Sequence, residues 1–220
     1  MRMSRLRECL EILLQGGFIC PFSQPDLHQA MLDRDLVERV EQGLLPLGRV
    51  LARIGDEAAP DTFYAGYASL DSPQDRQSVA SELVWLRDQI KPLLDFIRLY
   101  SRAEGGDVYL APGEEVTFSR LIEAIEANTT YAEMLRDLAG HQIFRRISSA
   151  RDNKDSLGRA LEALTDEGFL VRANTQSANF VVTGKMGYVF MALEWVAAYH
   201  EIAEPENRHE LAAVQGGLEL

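Results

Sequence analysis

Five basic residues, Arg145, Arg146, Arg151, Lys154 and Arg159, fall within fifteen positions of a chain whose formal net charge is -12. Such a density of guanidinium and ammonium groups suits contact with a phosphate backbone, whose oxygens accept charge-assisted hydrogen bonds whatever the base sequence. Arg172 and Lys185 flank a polar loop further along and extend the same candidate DNA-contacting surface. Asp152, Asp155, Glu162, Asp166 and Glu167 are interleaved with these cations. A second reading is therefore equally open, in which the arginines pair with neighbouring acids on a solvated face. Under both readings the local charge is close to zero, which argues against base-specific recognition by this segment.

Other chemistry is sparse. A phosphate-cradling loop needs glycines ahead of Gly-Lys-Ser/Thr, whereas Gly184-Lys185-Met186 has neither the upstream glycine nor the hydroxyl. His28, His141, His200 and His209 are scattered and form no His-Glu-x-x-His pair, and no Gly-x-Ser-x-Gly elbow is present. Adjacent carboxylates such as Glu114-Glu115 and Asp166-Glu167 point apart on a helix and read as solvated faces. The sequence thus indicates no catalytic residue, no metal and no cofactor, and the chain reads as non-enzymatic. Cys9 and Cys20 stand close together near the start, with no Cys/His cluster around them, and read as free thiols.

Composition sets the frame for these residues. A hydrophobic fraction of 46% over 220 residues suffices for two small cores. No run of eighteen apolar residues occurs, and the first ten residues alternate charged with apolar side chains, which predicts a cytoplasmic protein without a membrane span. The negative charge repels a polyanion at long range, so contact with DNA must be local or shared with partners.

The elements that must position the cations follow from periodicity. Leu6, Leu10, Leu13 and Leu14 predict a helix ending at Gly16-Gly17, and Phe18-Ile19 a short strand. Pro25 opens a helix, Leu36–Val40 continues or restarts it, and Pro46 predicts the first turn of another running through Val50, Leu51 and Ile54. Residues 63–67 form an aromatic strand. Ser72-Pro73-Gln74-Asp75 is an explicit helix start. From there Val79, Leu83, Leu86, Ile90, Leu93, Ile97 and Tyr100 follow a heptad stripe, read as a long central helix buried between two domains in preference to a coiled coil, with Pro92 kinking or interrupting it. Beyond Gly105-Gly106, Val108–Leu110 reads as a strand, Phe118–Ile125 as a helix, and Thr130-Tyr-Ala-Glu133 as a capping box. Ser156 is the expected cap of a helix with Leu157, Ala160, Leu161 and Leu164 on one face. Phe169–Val171 and Phe180–Val182 then flank the loop at 174–178.

This order predicts a mainly α (α+β) protein with tandem winged helix-turn-helix domains. The helix Leu157–Glu167 takes the recognition place and 174–178 the wing. The domains are expected at 1–72 and 105–202, joined by a central helix at 73–104 and followed by a flexible tail at 203–220. The segment from Tyr188 to Tyr199 is apolar around most of its circumference. It either bridges the two domains or offers Phe190, Trp195 and Tyr199 to a partner.

The stretches Leu94-Asp-Phe-Ile-Arg-Leu-Tyr100, Ser156-Leu-Gly-Arg-Ala-Leu-Glu-Ala-Leu-Thr-Asp-Glu-Gly-Phe-Leu-Val171 and Asn179-Phe-Val-Val-Thr-Gly-Lys-Met-Gly-Tyr-Val-Phe190 resemble the MukE/MksE family, and most of all its MksE-type members. The resemblance implies a homodimeric, kleisin-binding accessory subunit of a bacterial condensin, engaging an MksF-like kleisin and an MksB-like SMC ATPase. In that complex it would be nucleoid-associated and assist DNA engagement for chromosome organisation, segregation or plasmid restriction. Thr165-Asp166-Glu167 departs from the family, whose members can carry basic residues just ahead of the glycine that ends this helix. DNA contact is thereby moved toward Arg145–Arg159 or to the partners. The main competing reading is a winged-helix transcription regulator that uses Leu157–Glu167 on an operator. A small-molecule enzyme would need convergent titratable groups in a pocket.

Overall fold

The computed structural model of the chain describes residues 2–56, 60–106, 109–174 and 178–199. The tail expected at 203–220 and the tip of the 174–178 loop lie outside them. The described part is mostly helical, with two small antiparallel sheets. Contacts group residues 1–187 into one compact unit and 188–220 into another.

The first helix, α1 (Arg2–Leu14), buries Cys9 and Leu13 and stops where Gly16 takes a left-handed φ of 77°. α2 (Pro25–Ala30) and α3 (Arg34–Leu44) are separate because Asp33 caps the latter, its carboxylate accepting from the Asp35 N–H at 3.1 Å. Leu36, Val40 and Leu44, four residues apart, form the buried stripe of α3. The helix expected from Pro46 is instead a single 3-10 turn, Leu45–Leu47, ended by Gly48 at φ 68°. The chain then runs as β1 (Arg49–Gly55), paired antiparallel with β2 (Pro60–Tyr67) from Arg49↔Tyr67 to Gly55↔Pro60. The spacing of Val50, Leu51 and Ile54 suits a helix face as well as a strand, and the glycine together with the β2 partner decides for the strand. Ile19 exchanges both backbone hydrogen bonds with Phe63 at 2.9 Å, which adds a third edge to this hairpin. Leu13, Ile19, Met31, Val40, Leu44 and Phe63 close a core of their own.

Ser72 caps α4 (Pro73–Ala103) as expected, its hydroxyl accepting from the Gln74 and Asp75 N–H groups at 3.1 and 3.2 Å. The helix is not interrupted at Pro92. A proline removes one helical hydrogen bond, and here burial on both sides, at Leu86, Pro92, Leu93, Phe96, Leu99 and Tyr100, offsets that loss. The predicted stripe is buried only in its second half, since Leu83 is 55% exposed. The main partners of α4 are α5 (Phe118–Ala127), α6 (Thr129–Asp137) and the 3-10 turn Leu138–Gly140. Asn128, not Thr130, caps α6, accepting from the Thr130 N–H at 2.9 Å.

A further 3-10 turn, Arg145–Ser149, leads into α7 (Asn153–Asp166). Asp152 is its cap, accepting from the Asp155 N–H at 2.7 Å. Ser156, the expected cap, lies inside the helix and donates to the Asp152 carbonyl. Gly168, at φ 79°, turns the chain into β4 (Leu170–Arg172), which pairs with β5 (Phe180–Val182). The strand that joins them is β3 (Glu115–Val116), giving the order β3-β5-β4. The strand expected at Val108–Leu110 lies partly outside the described residues, and Leu110 is buried without strand structure.

α8 (Gly184–Tyr199) has its first turn in the larger unit. There the Gly184 N–H donates to Cys20 Sγ at 3.3 Å, and a Cβ on Gly184 would stand 1.9 Å from the hydroxyl of Thr62. Thr62 is itself 1% exposed, so the helix start meets the first hairpin with no space for a methyl group.

Candidate functional site

The basic residues singled out by sequence divide into three groups. Arg159 is held hardest: its Nε and Nη2 donate to Asp155 Oδ1 and Oδ2 at 2.9 and 3.1 Å, a bidentate pair across one helical turn. Its Nη1 also donates to the Arg146 carbonyl at 2.9 Å and to Ser149 Oγ at 2.6 Å, tying α7 to the preceding 3-10 turn. The Arg159 guanidinium, helped by the Arg151 N–H, holds the Asp155 carboxyl below the usual carboxylate range. Arg151 itself projects into solvent, with Nε 3.9 Å from Asp155.

Arg146 and Arg172 are paired on the surface. Arg146 Nη1 meets Asp166 Oδ2 at 2.8 Å, and Arg172 Nη2 lies 3.7 Å from Glu162 while its guanidinium stands 5.1 Å from the Phe180 ring centre. Lys185 turns inward. Its ammonium donates to the Glu167 carbonyl at 2.6 Å, completing the C-terminal end of α7, and sits 4.5 and 5.0 Å from the Trp85 and Phe169 rings, which stack on each other. Burial lowers its pKa, with Glu167 opposing.

Arg145 and Lys154 form the third group. Both are exposed, and among the described residues neither meets a carboxylate within ion-pair distance. Of the expected cations these two are placed to face an external phosphate without first breaking a pair.

A second cationic site was not apparent from sequence. Lys91, Arg98 and Arg102 on α4 share one side of a cleft of about 570 Å³ with Met134 and Asp137 of α6 and His141 beyond it. Asp95 lies among them and accepts from Lys91 Nζ at 2.8 Å, from His141 Nε2 at 2.8 Å and from Arg98 Nη1 at 3.4 Å. An ionised carboxylate only accepts, so His141 carries its proton on Nε2. The Lys91 hydrogen bond holds Asp95 below the usual carboxylate range; partial burial opposes this, and His141 reinforces it. Among the described residues Arg102 donates only to the weakly accepting Met134 Sδ, at 3.6 Å. The signal in sequence is the spacing Lys91, Asp95, Arg98 and Arg102, at intervals of four, three and four along one polar face of α4. His141 could not be added to it without the fold.

No group of three His, Cys, Asp or Glu side chains among the described residues is placed to hold a metal ion, and no helix there is long and apolar enough to cross a membrane. Cys9 and Cys20 are free and buried, and burial pushes the Cys9 thiol up to about 11, with Glu8 adding to the shift. In the smaller unit Trp195 is 63% exposed and Phe190 half-buried; the Tyr199 side chain lies outside the described residues. No protein-family model matches the chain, and no curated protein matches it.

Proposed function

We propose that the chain is a non-catalytic, DNA-assisting accessory subunit of a bacterial SMC complex of the MukE/MksE kind, built from tandem winged helix-turn-helix modules. One observation carries the reading. The same order of elements occurs twice: a helix, a short extended segment, further helices, then an antiparallel hairpin. In each copy the extended segment pairs with the second strand of the hairpin, and the residue met there is a phenylalanine, Phe63 opposite Ile19 and Phe180 opposite Val116. A repeated fold with no catalytic constellation among the described residues suits a subunit that holds other proteins. The partners in this reading are a kleisin and an SMC-type ATPase, in a homodimeric assembly. The competing transcription-regulator reading requires α7 to read bases, and its Arg159 is already committed to Asp155.

The decisive experiment is affinity purification of the tagged chain from its own cells. A kleisin-like protein and an SMC-type ATPase are expected in stoichiometric amounts, and their absence would overturn the reading. DNA binding is tested separately on the assembled complex. Reversing both Arg145 and Lys154 to Glu should weaken binding and reduce the slope of log affinity against log salt by about two, one for each phosphate that is no longer neutralised. An unchanged slope would assign the DNA-holding surface to the partners.

A further inference from the structure

We infer that the cleft between α4 and α6 is a docking site for an acidic segment of a partner polypeptide, one that carries carboxylates beside apolar side chains. The inference rests on the reading of this chain as a partner-binding subunit and adds where and by what chemistry a partner is held.

Three observations support it. First, the cleft concentrates cations that the fold does not neutralise. Lys91 and Arg98 share the single carboxylate of Asp95, and Arg102 meets only a thioether among the described residues. A guanidinium has five N–H donors in a planar fork that matches a carboxylate, so Arg98 and Arg102 keep donors for an incoming acid. Second, the carboxylate at the centre of the cluster is held in place. Asp95 Oδ2 takes both Lys91 and His141, and the His141 side chain is only 17% exposed, which anchors the carboxylate around which the exposed cations gather. Third, the lining also offers an adaptable apolar side chain, Met134, next to the buried Leu138. A thioether side chain of three rotatable bonds accommodates varied apolar partners.

These features separate a peptide from a nucleic-acid strand. Asp95 and Asp137 also line the cleft, and two carboxylates oppose a run of phosphates more than they oppose one or two acids spaced along a peptide. Met134 has no role with phosphate. A volume of about 570 Å³ accepts a few side chains, not a duplex.

The experiment uses the full chain and two probes, a library of random short peptides displayed on phage and a fluorescein-labelled single-stranded DNA. Selection on the wild type should enrich peptides in which Asp or Glu neighbours Leu, Ile, Phe or Met. Synthetic copies of the selected peptides should bind the double variant Arg98→Glu/Arg102→Glu more weakly by on the order of tenfold or more. Arg98→Lys/Arg102→Lys, which keeps the charge but not the planar fork, should bind the peptides more tightly than the Glu variant and less tightly than the wild type, which shows that charge and not a folding defect is responsible. Selected peptides without acidic enrichment, or acidic peptides that bind the Glu variant as well as the wild type, would overturn the inference. So would a variant that loses affinity for DNA while keeping it for the peptides. Co-purification of an SMC ATPase is scored in parallel: if it persists while the peptide arm fails, the cleft assignment falls and the subunit reading stands.

Discussion

The cations of the 3-10 turn and α7 and those of the α4–α6 cleft are of the same kinds but meet opposite fates. Around α7 each arginine that bends back finds an acid of its own, Arg159 with Asp155, Arg146 with Asp166 and Arg172 with Glu162. In the cleft, Lys91, Arg98 and His141 converge on one carboxylate, and Arg102 is left with sulfur. Crowding of arginines along the chain therefore does not mark where positive charge is available. What decides is how many acids fall within three or four residues, or across the packing, of each cation.

That contrast can be broken at its base. Phe96 follows Asp95 on α4, Phe144 precedes Arg145, and their rings, both fully buried, meet at 6.2 Å. Phe96→Ala should destabilise the chain by about 3–5 kcal/mol in urea unfolding, because it opens a cavity under both regions at once. A loss confined to one region, seen as hydrogen-exchange protection retained in the other, would show that the two are independently supported. A smaller effect sharpens the contrast. Arg159→Ala should lower Tm and be non-additive with Asp155→Ala, whereas Arg145→Ala and Lys154→Ala should leave Tm where it was. Equal shifts from all three single arginine and lysine variants would remove the distinction between committed and available cations.

The smallest effect is a pH dependence. The Asp95 carboxyl lies below its ordinary range in the folded chain, so its ionised form contributes stability that is present at neutral pH. That contribution is lost as pH falls through the folded value. Asp95→Asn should therefore cost on the order of 1 kcal/mol at pH 7, and the gap from wild type should close under strongly acidic conditions. A gap that persists in acid would mean that the Asn variant disturbs packing and not charge.

Much of the fold could be read from the residues. The Ser72 cap, the glycine ends of α1 and α7, and the strands around the polar loop all rest on short-range rules, and these hold. The failures share a cause. Ser156 and Thr130 are good capping residues, but Asp152 and Asn128 stand where the backbone is extended, and extended geometry selects the cap. β1 was indistinguishable from a helix until β2 supplied a partner. In the candidate site the pairing of the arginines with interleaved acids was one of two open readings, but which acid each one meets was not legible, since Arg146 and Asp166 lie twenty residues apart. The cleft needed His141 brought to Asp95 across forty-six residues, which local rules do not reach.

Gly184 carries a consequence for how this chain can vary. Its hydrogen atom faces the Thr62 side chain at a separation that no larger substituent could share. The two positions therefore form a single volume divided between a glycine and a threonine. A methyl group gained at 184 would require position 62 to give up its hydroxyl as well as its methyl, so that neither position is free to drift alone.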